Sequence, residues 1–230
     1  MIKKLRYLKY YAKVLLNNWR ENKETYSQHG EDILASKILG KVNSFVEIGA
    51  NDGVLFSNCY KFAKAGARGI CLEPSRKAFW KLKLNHIPHP RVICLKFAIS
   101  NESKDLYFEE AGYESVLSNV KTEYIEGRRK IKAISLQDLW CMHPSFKKID
   151  LLSLDVEGHE KEVLKGSGDE PLEIKVIILE SDKFDQNEIL SIPCLREHKV
   201  SYMNSINMIL THKSLNFSKI DVLPEGFRCL

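Results

Sequence analysis

Gly49 and Gly53 stand four residues apart, directly after the apolar run Phe45-Val46-Glu47-Ile48. Gly49 lets a chain turn sharply off a strand, and Gly53 allows backbone to approach a ligand at the start of the next helix. Between them, Asn51 belongs to the few residue types that tolerate a left-handed conformation, and Asp52 completes the turn. Glu47 is an acid near the carboxyl end of a buried strand, so it needs a partner: a ligand amino group or nearby backbone N–H groups. A second acid, Glu73, ends the run Gly69-Ile70-Cys71-Leu72 and precedes Pro74, 24 residues after Gly49. An acid about 20 residues beyond a glycine turn is where a ribose diol is gripped. The bland alternative for Glu73 is a solvated loop acid.

A third run, Ile149-Asp150-Leu151-Leu152-Ser153-Leu154, ends in Asp155, after which Glu157 and Gly158 turn the chain towards His159 and Glu160. Strand tips and their following loops form the ligand crevice of an open parallel sheet, so Asp155, Glu157 and His159 are expected to crowd one rim. Glu180 ends a further apolar run at the same rim. Crowded acids perturb one another, and a histidine near neutrality can act as a base. His159 is equally well read as an exposed residue of a helix's first turn. The pair Asp155 and Glu157 could also hold Mg²⁺ or Mn²⁺ against a diphosphate, the chemistry of a sugar-nucleotide glycosyltransferase.

The elements that must position these groups alternate along the chain. Short apolar strands are expected at 44–48, 69–72, 92–98, 149–154 and 176–179, with an edge strand at 106–108 and tail candidates at 200–203 and 208–211. Helices are expected to follow Ser27 through Leu39, and at 56–64, 78–84, 136–140 and 160–165. Nearly continuous apolar strands alternating with helices imply a parallel sheet covered on both faces. The polar stretch 109–130 reads as a lid or acceptor loop.

Residues 1–22 form a separate basic amphipathic helix and 23–230 one domain, with no Pro/Gly/Ser linker. Ile2, Leu5, Leu8, Ala12, Leu15, Leu16 and Trp19 recur at helical spacing between basic residues, which suits either a membrane surface or packing on the domain or on a second subunit. The chain has 230 residues and a formal charge of +5, much of it before residue 21, so a large nucleic-acid footprint is not expected. Six cysteines without a CxxC pair suggest a reducing compartment and no disulfide framework. Lys13 breaks the N-terminal apolar stretch and no small-residue cleavage site follows it, so a signal peptide is not expected. No apolar run of about 18 residues occurs, so a cytoplasmic protein is expected, with contact to a membrane surface through residues 1–20 as the peripheral variant.

In this order the motifs resemble the FkbM family of S-adenosylmethionine-dependent methyltransferases. The match opens at Tyr26-Ser27-Gln28-His29-Gly30-Glu31-Asp32, continues through FVEIGANDG, CLEP, Ser135-Leu136 and LSLDVEGHEKEVLKG, and reaches Glu180. The resemblance implies an α/β class I methyltransferase fold, Rossmann-like, with a mostly parallel seven-stranded sheet and one antiparallel strand. It implies S-adenosyl-L-methionine as cofactor, its methionine part held by Glu47, Gly49, Asn51, Asp52 and Gly53 and its ribose by Glu73 beside Pro74. Gln28 and Asp32 would close over the cofactor, and Asp155 would sit beside the methyl group. The acceptor would be a hydroxyl of a sugar, glycan or other small molecule, with Asp155 or His159 as base and Glu157 or Glu180 orienting it. A non-catalytic nucleotide-binding module and the metal-dependent glycosyltransferase stand as rivals, and no metal is expected for the methyltransferase.

Overall fold

The computed structural model describes residues 2–108, 129–181 and 185–230; the proposed lid at 109–130 lies almost wholly outside them. The main sheet has eight strands in the order β11-β9-β10-β8-β7-β1-β2-β3. These are β1 (Ser44–Ile48), β2 (Arg68–Leu72), β3 (Val92–Leu95), β7 (Lys148–Leu154), β8 (Glu173–Glu180), β9 (His198–Met203), β10 (Asn207–His212) and the two-residue edge β11 (Arg228–Cys229). From β3 to β8 all neighbours are parallel; β10 runs antiparallel to β8 and to β9, and β11 antiparallel to β9. The Rossmann-like α/β architecture is therefore present, with β11 as an eighth strand beyond the seven expected.

Burial on both faces accounts for the strands' composition. Every residue of β1 is buried. Val46 and Ile48 join one core with Ile70, Leu72, Leu152 and Leu154, while Phe45 joins the opposite core with Cys71, Leu151 and Val176. Such two-sided burial needs an apolar run rather than alternation. The second core is completed by Leu34, Ala35 and Ile38 of α2 (Glu31–Leu39) and Phe62 of α3 (Tyr60–Lys64).

Two element expectations need correction. The stretch 92–98 is not one strand: β3 ends at Leu95, and β4 (Ala98–Ser100) pairs with β6 (Arg129–Ser135) in a separate three-stranded sheet, order β4-β6-β5, with β5 at Lys104–Phe108. The helix expected over 56–64 begins only at Tyr60. Its cause is local: the Ser57 hydroxyl accepts the Tyr60 N–H at 2.9 Å, and both Ser57 and Asn58 donate to Glu47. These bonds hold Ser57 and Asn58 outside the helix, in the manner of a cap.

The N-terminal helix α1 (Ile2–Arg20) ends against the domain. Lys64 Nζ donates to the carbonyls of Asn18 and Trp19 at 3.1 and 2.8 Å, and Asn18 Nδ2 donates to Asn85 Oδ1 at 3.2 Å, at the end of α4 (Arg76–Asn85). A lysine at the last carbonyls suits the negative end of a helix. The last turn thus takes the packed reading. Among the described residues no helix is long and apolar enough to cross a membrane.

Candidate active site

Register brings the candidate residues to one level. Ile48 lies opposite Leu72 and Leu154, and Leu154 opposite Leu179, so Gly49, Glu73, Asp155 and Glu180 emerge together at the carboxyl ends of four adjacent parallel strands. There a cavity of about 370 Å³ opens, lined by all four and also by Gln28, Glu47, Asn51, Pro74 and Glu157. Nine sequence-predicted residues thus meet in one place, as a parallel sheet's crevice requires.

The turn after β1 is set by backbone. Gly49 takes φ 84°, and a Cβ there would lie 1.7 Å from the Asp155 carbonyl oxygen. Its N–H and that of Ala50 both reach the Leu72 carbonyl, at 3.1 and 3.0 Å. Asn51 adopts φ 47° and donates its N–H to Glu73 at 2.9 Å, while Ser75 N–H donates to the other Glu73 oxygen at 2.7 Å. The acid after β2 is therefore buried and fixed by the neighbouring turn, with its carboxylate at the cavity wall.

Glu47 sits deeper. Ser57 Oγ donates to its carboxylate at 2.9 Å and Asn58 N–H at 2.9 Å. Burial, the largest cause, still outweighs these bonds and holds its carboxyl up to about 7; the negative charge of Asp155 adds to the rise.

Asp155 is open to the cavity, yet protein packs densely around it. Its carboxyl is pushed up to about 6, by burial first and then by the negative charges of Glu157 and Glu160, against a hydrogen bond with Glu180. Carboxylate oxygens of Asp155, Glu157 and Glu180 lie within 4.8 Å of one another. Glu157 holds φ 56°, a left-handed conformation costly for a residue other than glycine or asparagine. Substituting Glu157→Asn is expected to raise unfolding stability by about 0.5–1 kcal/mol and to lower the Asp155 carboxyl's pKa, because one repelling charge is gone. Urea unfolding and carboxyl NMR titration check the two halves separately.

Four candidates stand off the cavity. Asp32 is wholly buried, and its carboxylate accepts from Thr25 Oγ1, Tyr26 N–H and Ser27 Oγ at 2.6, 2.9 and 3.0 Å, so it pins the segment before α2. Asp52 turns its carboxylate onto the N–H groups of Val54 and Leu55, and its carbonyl accepts from Asn85 Nδ2 at 2.8 Å. Gly53, at φ 78°, serves packing: a Cβ would lie 2.5 Å from Leu82 Cδ1 and 2.9 Å from His86 Nε2. His159 points away because Glu157 and Gly158 are both left-handed; its Nε2 meets Ser100 Oγ of β4 at 3.0 Å, and burial lowers its pKa. Sequence reasoning missed Ser57 and Asn58, whose type and place before a helix are a capping signal, and the cavity residues Leu55 and Phe56.

Comparison with known proteins gives the family. Residues 47–218 match the family described as Methyltransferase FkbM domain. Hexuronic acid methyltransferase AglP of Haloferax volcanii is 30% identical over 135 residues, 58% of this chain and 54% of the relative, so the chain spans about half the length of that protein. A solved methyltransferase FkbM from Methylobacillus flagellatus superposes with TM-score 0.48 at 14% identity, over 74% of this chain and 43% of that one. M. capricolum TrmK, solved with S-adenosyl-homocysteine, gives TM-score 0.49 at 10% identity, over 87% and 74%. The family match spans most of the chain and includes the turn after β1, the acid after β2 and the Asp155 loop: the protein belongs to the FkbM methyltransferase domain family.

Proposed function

We propose that this chain moves a methyl group from S-adenosyl-L-methionine to a hydroxyl oxygen of a sugar, glycan or other small hydroxylated acceptor. The observation that carries the reading is the convergence of Glu47, Gly49, Glu73 and Asp155 on one cavity. Its size falls within the range of small-molecule sites. The residues fit the cofactor: a buried carboxyl at Glu47, raised by desolvation, gains most from a cationic amino group, and Glu73 offers acceptor oxygens suited to a ribose diol. The name of the Haloferax relative supports a sugar acceptor.

When bound, the cofactor supplies a methyl carbon on a positive sulfur that departs as a neutral thioether. The protein's own task is alignment, an effect worth up to about 7–11 kcal/mol in favourable models. Asp155 takes the proton of the acceptor hydroxyl as the new C–O bond forms and the C–S bond breaks. Glu157 and Glu180, on the same wall, accept hydrogen bonds from acceptor hydroxyls.

Calorimetry with S-adenosylhomocysteine tests this reading. Binding is expected, and Glu73→Ala is expected to weaken it about 10- to 100-fold, the loss of one charged hydrogen bond or somewhat more. Absence of binding to the folded protein refutes cofactor use and favours a non-catalytic module. A second reading, a divalent cation shared by Asp155, Glu157 and Glu180, draws on their mutual distance of 4.8 Å or less. Methyl transfer unchanged by EDTA removes it, and with it the glycosyltransferase.

A further inference from the structure

The cavity has two sides, and its residues divide between them. Glu73 follows β2, on the side of the sheet that carries β3. On the other side, Asn58, two residues after Phe56, donates to Ser153 Oγ of β7 at 3.0 Å. Phe56 also forms an isolated parallel bridge with Ser27, next to the cavity residue Gln28. That segment runs into α2, whose Glu31 accepts from Asn207 Nδ2 at 2.6 Å, at the start of β10. Phe56 is thus tied through its neighbours to β7 and β10, whereas Glu73 follows β2.

Phe56 is held at φ 59° and is 53% exposed; Leu55 beside it is 44% exposed, and both line the cavity. A bulky residue at positive φ is a true outlier, and half-exposure means that its own burial does not compensate the strain. A flat apolar face held at a cavity mouth suits one face of a sugar ring. The charges then restrict the sugar. With Glu47 and Glu73 taken by the cofactor, the carboxylates left to face the acceptor are those of Asp155, Glu157 and Glu180, and among the described residues no lysine, arginine or histidine lines the cavity. An acceptor carrying its own carboxylate would meet like charges, while an uncharged ring would present hydroxyl donors to those oxygens.

We infer that Phe56 is a specificity-determining platform and that the acceptor ring resting on it is an uncharged hexose-type glycoside rather than a uronic acid. The inference rests on the methyl-transfer reading given above, and it differs from the acceptor named for the Haloferax relative.

The test uses the full chain saturated with S-adenosylhomocysteine and saturation-transfer NMR. The probes are methyl glycosides of glucose, galactose and mannose, each beside the methyl glycoside of its uronic acid. At least one neutral glycoside is expected to bind about tenfold more tightly than its uronate, a difference of roughly 1.4 kcal/mol. Phe56→Gly is expected to weaken neutral-glycoside binding by about tenfold, while S-adenosylhomocysteine affinity stays within about twofold and the unfolding temperature does not fall, since glycine adopts positive φ freely. Phe56→Trp keeps the binding. Uronates that bind equally or better, no glycoside binding to the loaded protein, or a Phe56→Gly variant that binds sugar as the parent does each overturn the inference. Failure of S-adenosylhomocysteine itself to bind overturns the methyl-transfer reading instead, and the inference falls with it.

Discussion

Asp155→Asn is expected to slow single-turnover methyl transfer by about 100- to 10,000-fold, the range for losing a positioned base. S-adenosylhomocysteine affinity should change by less than about tenfold, because the side chain contributes at most a polar contact there. The backbone of residue 155, which closes against Gly49, is the same in the variant. A pH profile adds an independent check. A base works in its ionised form, and burial with the charges of Glu157 and Glu160 holds this carboxyl up to about 6. The single-turnover rate of the parent should therefore climb through pH 6 and level off above pH 7. His159→Ala should leave that rate and profile nearly unchanged, since the ring meets Ser100 outside the cavity. A slow His159→Ala with intact cofactor binding, or an unimpaired Asp155→Asn, would sink the assignment of the proton to Asp155.

What the sequence made legible follows from what it encodes locally. Strand tips could be placed because the apolar runs ending at Ile48, Leu72, Leu154 and Leu179 are buried on both faces, and their shared register put the next residue of each at one level. That is why Gly49, Glu73, Asp155 and Glu180 stand out as a group, with Glu47 one residue inside the first tip. Direction was harder. Asp32, Asp52 and Glu73 all accept backbone N–H groups within a few residues, yet only Glu73 also lines the cavity, a difference that residue type alone does not resolve. His159 was misplaced by two consecutive left-handed residues, only one of them a glycine. Phe56 was invisible because nothing in a phenylalanine announces a positive φ. The helix start at Tyr60 moved for the same kind of reason: Glu47, ten residues before Ser57, claims that hydroxyl and the Asn58 N–H. The strand β6 was lost inside a polar stretch, Arg129–Ser135, whose alternation of lysine with Ile131, Ala133 and Ile134 belongs to a small sheet rather than to the main one.

Glu47→Gln is expected to stabilise the protein without ligand at pH 8 by about 2–3 kcal/mol, measured by urea unfolding. The Glu47 carboxyl is raised from 4.5 to about 7 in the folded chain, chiefly by burial. Between those values the folded state binds more protons than the unfolded one, so stability declines as pH rises through the window and the full cost is reached above about pH 7. Glutamine carries no charge at any pH, so the two unfolding curves should converge below about pH 4.5 and separate above it. Ser57 can reorient its hydroxyl towards the amide, which keeps the site satisfied. Function should move the opposite way. A cationic amino group beside Glu47 would restore the ionised carboxylate, so S-adenosylhomocysteine should bind the parent more tightly as pH rises from about 5 to 7, with proton release seen as a buffer-dependent heat. The variant should bind more weakly and lose that pH dependence. A Glu47→Gln protein that is no more stable at pH 8 would remove the raised carboxyl, and one that binds with the parent's pH dependence would place the methionine end of the cofactor elsewhere in the cavity. Those outcomes together would make Glu47 a buried acid that costs stability without ligand and is compensated by the cofactor, a trade expected at binding sites rather than in cores.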